Sequence, residues 1–274
     1  SIHRMIVMRH PYISMEAFRY RNLTSLLILF LLLSFLLTAP TVLQNIYTGS
    51  ILGYDMLNSV SLNWWNLGGT IAGCAFAYYW HARLRGSFKV SIFIGFGLIV
   101  LYLLLMYYLI DPGTNIEKLY LPTALRGAGY IILYIALTVY VTGIVPFQHF
   151  FQVLSILGFV RTGFASALGG AIYSRILQYT LPENFQNLTR ELDVVNPVIN
   201  SHNFFQIYGE AMHQSILVSL KEMYGWVCLI GIILLLVILS EGFLNRNLIG
   251  RLPRMRRIKQ IIKRESIPAN KIHS

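Results

Sequence analysis

Residues 91–110 read SIFIGFGLIVLYLLLMYYLI, a run of 20 positions without one charged side chain. At 1.5 Å per residue a helix of that length covers about 30 Å, the thickness of bilayer hydrocarbon. The stretch decides the class: an all-α membrane protein. Working outward, five further apolar blocks, at about 24–47, 57–80, 120–142, 148–175 and 222–243, join the one at 88–110 to make six transmembrane spans. Composition agrees, since 55% of the 274 residues are hydrophobic, 12% are charged, and mean hydropathy is +0.58. Soluble domains carry about 25% charged residues. The first block is too long for a signal peptide and lacks a small-residue cleavage site. Because the chain opens with Ser1, it reads as a piece of a longer protein.

The net charge of +11 is distributed in a way that excludes a nucleic-acid role. Basic residues gather at Arg4, Arg9, Arg19 and Arg21, then at Arg83, Arg85 and Lys89. A third group, from Arg246 to Lys271, fills the tail. Between them the loops hold Asp55, Asp111, Glu117, Glu183, Glu191, Asp193 and Glu210. This alternation fits the positive-inside rule with both termini cytoplasmic, and the basic tail contacts anionic lipid headgroups. The expected layout is a cytoplasmic lead-in at 1–23, a six-helix bundle at 24–243 and a basic cytoplasmic tail at 244–274. A long outer loop is expected at about 179–221.

Period-3.6 spacing divides the six helices into two kinds. The first carries a polar line of Ser34, Thr38, Thr41, Asn45 and Thr48, and the second one of Ser59, Asn63, Asn66 and Thr70. The fourth aligns Arg126, Tyr130, Tyr134 and Thr138, and the fifth gathers Thr162, Ser166 and small residues beside Arg161. The third helix and the sixth, WVCLIGIILLLVIL (226–239), have no such line and are expected to be peripheral, facing lipid. Stripe, stripe, none, repeated twice, is a three-plus-three order, the organisation of half a major facilitator transporter. The competing explanation is helix packing, because Gly69/Gly73 and Ser166/Gly170 have the small-xxx-small spacing that brings helices close.

Arg161 lies within LGFVRTGFASALGG (157–170), inside the fifth span. A charge at the centre of a membrane helix costs about 2.5–3.5 kcal/mol on insertion scales, so it needs a partner or a watery cavity. Either it shapes a cavity electrostatically, or it clamps backbone carbonyls. No Asp or Glu lies mid-span, which leaves Asp55 and Glu222, near helix ends, as proton-coupling candidates. Trp64, Trp65, Tyr130 and Tyr134 supply either cavity wall or packing. Cys74 and Cys228 read as small packing residues, without a disulfide framework. Glu210 and His213 have Glu-x-x-His spacing, but a single copy reads as helix surface rather than a metal site. Asn187 begins a glycosylation sequon that matters only in a eukaryotic secretory route. No nucleotide-binding or hydrolase motif is present, so neither enzymatic activity nor a cofactor is expected.

Four strings carry a family resemblance. HPYISMEAFRYRNLT (10–24) resembles the segment before the ninth helix of fourteen-helix drug:proton antiporters of the EmrB/QacA type, within the major facilitator superfamily. LRGAGYIILYIALTVY (125–140) resembles that family's Arg-Gly-x-Gly helix entry, and GFVRTGFASALGGAI (158–172) its Arg-x-x-Gly motif, with Arg161 at the motif arginine. SLKEMYGWV (219–227) resembles the acidic entrance to the last helix, matched by Glu222. YYWHARLRGSFK (78–89) departs from the superfamily pattern, with His81 in a loop that usually holds an aspartate.

The resemblance covers about residues 10–243 and implies the C-terminal half of a bacterial inner-membrane exporter. It implies proton-coupled export of lipophilic drugs or other small molecules by alternating access. It also implies several partners: the bilayer, substrate and protons, a missing N-terminal half, and a periplasmic adaptor protein. By that reading the cavity residues are Thr38, Thr41, Asn45, Asn63, Asn66, Thr70, Arg126, Tyr130, Tyr134, Arg161, Thr162 and Ser166. The alternatives are a non-transporting membrane scaffold and a membrane-embedded lipid-modifying enzyme.

Overall fold

The structure is a computed structural model, and it describes residues 23–84, 88–144, 147–190 and 204–240. The lead-in, the basic tail, Arg85 and segment 191–203 lie outside the described residues. Among the described residues the regular structure is helical throughout. Helix α1 spans Leu23–Ile46 and widens into a π turn, Tyr47–Ile51. Helix α2, Met56–Tyr78, is likewise followed by a π turn, Tyr79–Arg83. Helices α3 (Phe88–Leu109) and α4 (Ile116–Ile144) come next. A short α5, Phe147–Gly158, passes through a π segment, Phe159–Ala165, into α6, Ser166–Arg190. Helix α7 runs Phe204–Ser240.

Five helical segments are long and apolar enough to cross a membrane: Leu27–Ile51, Val90–Leu109, Ile116–Tyr140, Phe151–Arg190 and Gln206–Ile238. The chain is therefore built as a multi-pass membrane protein. The second expected span matches α2 in position and length but falls outside this set of five. Asn58, Ser59, Ser61, Asn63 and Asn66 make it too polar to qualify on composition.

Helix α4 is wedged between α2 and α3, and its glycines explain how. A Cβ at Gly127 would overlap the Asn66 carbonyl of α2, and one at Gly69 of α2 would overlap the Ala124 carbonyl of α4. On another side, a Cβ at Gly129 would lie 2.9 Å from the Gly95 carbonyl of α3. The string Arg126-Gly127-Ala128-Gly129 thus lets one helix approach two neighbours closely, and Arg126 points a third way. Helix α3 also packs on α7, α7 on α6, and α1 on α6 and the π segment.

Two expectations are corrected here. The third helix faces lipid on one side only: Phe96, Ile99, Tyr102, Leu103 and Met106 have no exposed surface, because α3 sits between α4 and α7. A helix that is apolar all round has no periodicity to say which side is buried. Its other side, with Phe93, Leu101, Leu104 and Tyr108, is exposed as lipid contact requires. The outer segment at 179–221 is also mostly helix rather than loop, since α6 runs to Arg190 and α7 starts at Phe204. Its polar composition hid this, because these turns are held by each other: Ser215 donates to the Leu181 carbonyl at 3.2 Å, and Asn184 to Ser219 at 3.0 Å. At 40 residues, Phe151–Arg190 extends about 60 Å, twice the hydrocarbon thickness, so this hairpin projects beyond the bilayer.

Candidate functional site

Four helices meet at a buried polar cluster. Arg126 of α4 donates from Nη1 to Gln44 Oε1 of α1 at 2.8 Å. Tyr102 of α3 donates to the same oxygen at 3.3 Å, and its hydroxyl lies 3.5 Å from that of Tyr224 on α7. The Arg126 guanidinium also stands 5.9 Å from the centroid of the Tyr102 ring. Both tyrosines are fully buried, so their hydroxyls depend on this cluster for partners.

One turn further along α4 the character changes from closed to open. Tyr130 and Tyr134 stack with centroids 6.2 Å apart and planes 15° from parallel. Phe30 of α1 tilts against Tyr134 at 6.3 Å, and the Arg161 guanidinium covers the Tyr134 ring at 4.7 Å. Arg126, Tyr130, Tyr134 and Arg161 are all half-buried. Next on the same row, the Thr138 hydroxyl is buried and has no hydrogen-bond partner among the described residues.

Arg161 reaches this place because its segment is a π helix, whose wider turn redirects side chains. Thr162 donates to the Gly158 carbonyl at 2.8 Å, a local bond of the kind that bends helices. Below the π segment, Gly169 lets α6 close on α1, where a Cβ would lie 2.9 Å from that of Thr38.

The twelve expected cavity residues therefore separate into three groups. Arg126, Tyr130, Tyr134 and Arg161 come together. Thr38, Asn66 and Thr70 sit at helix crossings against Gly169 and Gly127, and the hydroxyls of Thr38 and Thr70 donate to the Ser34 and Asn66 carbonyls. Thr41, Asn45, Asn63, Thr162 and Ser166 are exposed. The polar residue of α1 that reaches this cluster is Gln44, which the periodic line from Ser34 to Thr48 passed over. Tyr102, the one hydroxyl between Ser91 and Tyr107 in an apolar run, was the signal that an inward partner existed.

Trp64 and Trp65 are exposed, and Trp65 stacks on Tyr120 at 5.1 Å, apart from the tyrosine pair. Asp55 precedes α2 and is exposed, without a side-chain cap bond. Glu222 is also exposed and accepts from Asn184 Nδ2 at 3.4 Å. Cys74 is exposed and Cys228 buried, both as free thiols. Among the described residues no three His, Cys, Asp or Glu side chains come together as a metal site would require.

No protein-family model matches this chain, and no curated protein matches it.

Proposed function

We propose that the chain is one half of a secondary transporter that moves lipophilic small molecules by alternating access. The observation that carries this reading is the exposure of Thr41 and Asn45 on α1, of Asn63 on α2, and of Thr162 and Ser166 beside half-buried Arg161. Polar and charged groups in hydrocarbon are costly, so such a face belongs against water or a second bundle. A scaffold would instead bury its polar lines wholly in helix contacts, whereas in the lines of α1 and α2 Ser34, Thr38, Thr48, Asn66 and Thr70 are packed or buried and the others are exposed.

Helix pairing supports a three-plus-three repeat with α2 as the sixth span. Exchanging α1 with α4, α2 with α5–α6, and α3 with α7 turns the α2–α4 packing into that of α1 with α6. The same exchange leaves α3–α7 on itself. The α3–α4 and α6–α7 packings have no comparable counterparts, in α1–α7 and α2–α3 respectively, among the described residues. Coupling to protons is part of the proposal; Asp55 is exposed just before α2 and Glu222 is exposed midway along α7 rather than at a helix end, and we assign the coupling carboxylate to the other half of the transporter. That placement gives an inner-membrane exporter with both termini of this segment cytoplasmic, in line with the resemblance to fourteen-helix drug:proton antiporters.

The test is flux in proteoliposomes. Full-length protein under an imposed pH gradient should move fluorescent amphiphiles, and collapsing the gradient should stop it. Residues 1–274 alone should give no gradient-dependent export. Gradient-independent leakage by both proteins at equal rates would overturn the reading.

A further inference from the structure

We infer that the open row on α4 is a binding site for an amphiphilic anion, a molecule with a carboxylate or sulfonate head and an aromatic body. This rests on the transport reading only for the claim that the bound molecule is carried.

Two cations, Arg126 and Arg161, flank this row, and no carboxylate pairs with either among the described residues. They differ in what remains to be satisfied. Arg126 already donates to Gln44, whereas among the described residues Arg161 lies over the face of the Tyr134 ring without a hydrogen-bond acceptor. The planar fork of an arginine matches a carboxylate or sulfonate through two parallel hydrogen bonds, so Arg161 is the receptor for the head. Between the two cations lie the stacked rings of Tyr130 and Tyr134, and Arg126 and Tyr134 are separated by about 12 Å of helix. An aromatic body of two or three fused rings fits against that length.

A cationic amphiphile meets the opposite situation. It would bring a third positive charge beside two existing ones, with no described carboxylate to receive it. Charge complementarity thus selects the sign of the ligand, and the tyrosine pair selects its shape.

The experiment uses full-length protein in phosphatidylcholine nanodiscs and two probes with one apolar body, pyrenebutyrate and pyrenebutyltrimethylammonium. Binding is read by energy transfer from tryptophan to pyrene. Pyrenebutyrate should bind saturably and at least about tenfold more tightly than the cation, the scale of one charge-assisted hydrogen bond. Arg161→Gln should weaken the anion by about tenfold and leave the cation no weaker, on the same scale. Arg161→Lys should restore part of the loss. Equal affinity for the two probes, or anion affinity unchanged in a monodisperse Arg161→Gln protein, would overturn the inference. So would displacement of pyrenebutyrate by phosphatidylglycerol, which would make the site a lipid headgroup site. If Arg161→Gln does not fold, the wild-type comparison of the two probes decides. Flux of the cation alone would keep the transport reading and defeat this one. Anion binding without flux would do the reverse.

Discussion

Gln44 and Arg126, 82 positions apart, are joined by a 2.8 Å hydrogen bond that ties α1 to α4 at the centre of the bundle. The same glutamine oxygen accepts from Tyr102, so one amide holds groups from two other helices. Gln44→Leu should therefore destabilise more than Tyr102→Phe. The first leaves Arg126 and Tyr102 both without their acceptor, at about 1–3 kcal/mol for each buried group unpaired. The second leaves the strong Arg126 bond intact. Thermal unfolding in detergent, followed by tryptophan fluorescence, checks the order.

The α2–α4 crossing depends on glycine, and it supplies its own control. Gly69→Val should lower the yield of monodisperse protein and cost about 1–3 kcal/mol of stability through overpacking against Ala124. Gly68→Val, at a neighbouring position with nothing within 4 Å of a new Cβ, should be tolerated. Equal loss in both variants would remove the crossing from the structure.

For Arg161 the transport consequence follows from its contact with Tyr134. Tyr134→Phe keeps a ring beneath the guanidinium and should retain most flux, whereas Tyr134→Leu should reduce it several-fold, since cation–π contacts contribute about 0.5–2 kcal/mol. Normal flux in Arg161→Gln would show that the charge has no role in transport.

Topology is checked by labelling in a background lacking Cys74 and Cys228. A cysteine at Asn187, exposed on the projecting part of α6, should react with an impermeant reagent from outside. Cysteines at Arg85 and Lys259 should react only with permeant reagents, as the charge alternation requires.

His81 gives a pH-dependent stability. Its ring stacks on Phe88 at 4.6 Å with Nε2 3.1 Å from Ser91 Oγ, just past the end of the second expected span. Burial lowers its pKa below the ordinary 6.5. The unfolded chain thus takes up a proton at higher pH than the folded one, and stability falls as pH drops from about 6.5 toward the depressed folded value. His81→Gln should flatten that part of the curve, measured as Tm against pH.

The sequence alone determined where the apolar helices lie, because an uncharged run long enough to cross hydrocarbon is a local signal that needs no partner. It also picked out Arg126, Tyr130 and Tyr134, since i, i+4 spacing sets one helix face whatever surrounds it. Which face of a uniformly apolar helix is buried was a matter for the tertiary structure, and α3, wedged between α4 and α7, carries no periodicity to announce it. Gln44 was hidden for a related reason: its acceptor oxygen matters only because Arg126 and Tyr102 arrive from other helices. The helical character of 179–190 and 204–221 likewise depends on α6 and α7 satisfying each other's polar groups. Pairings of this kind are long-range, and no single segment encodes both partners.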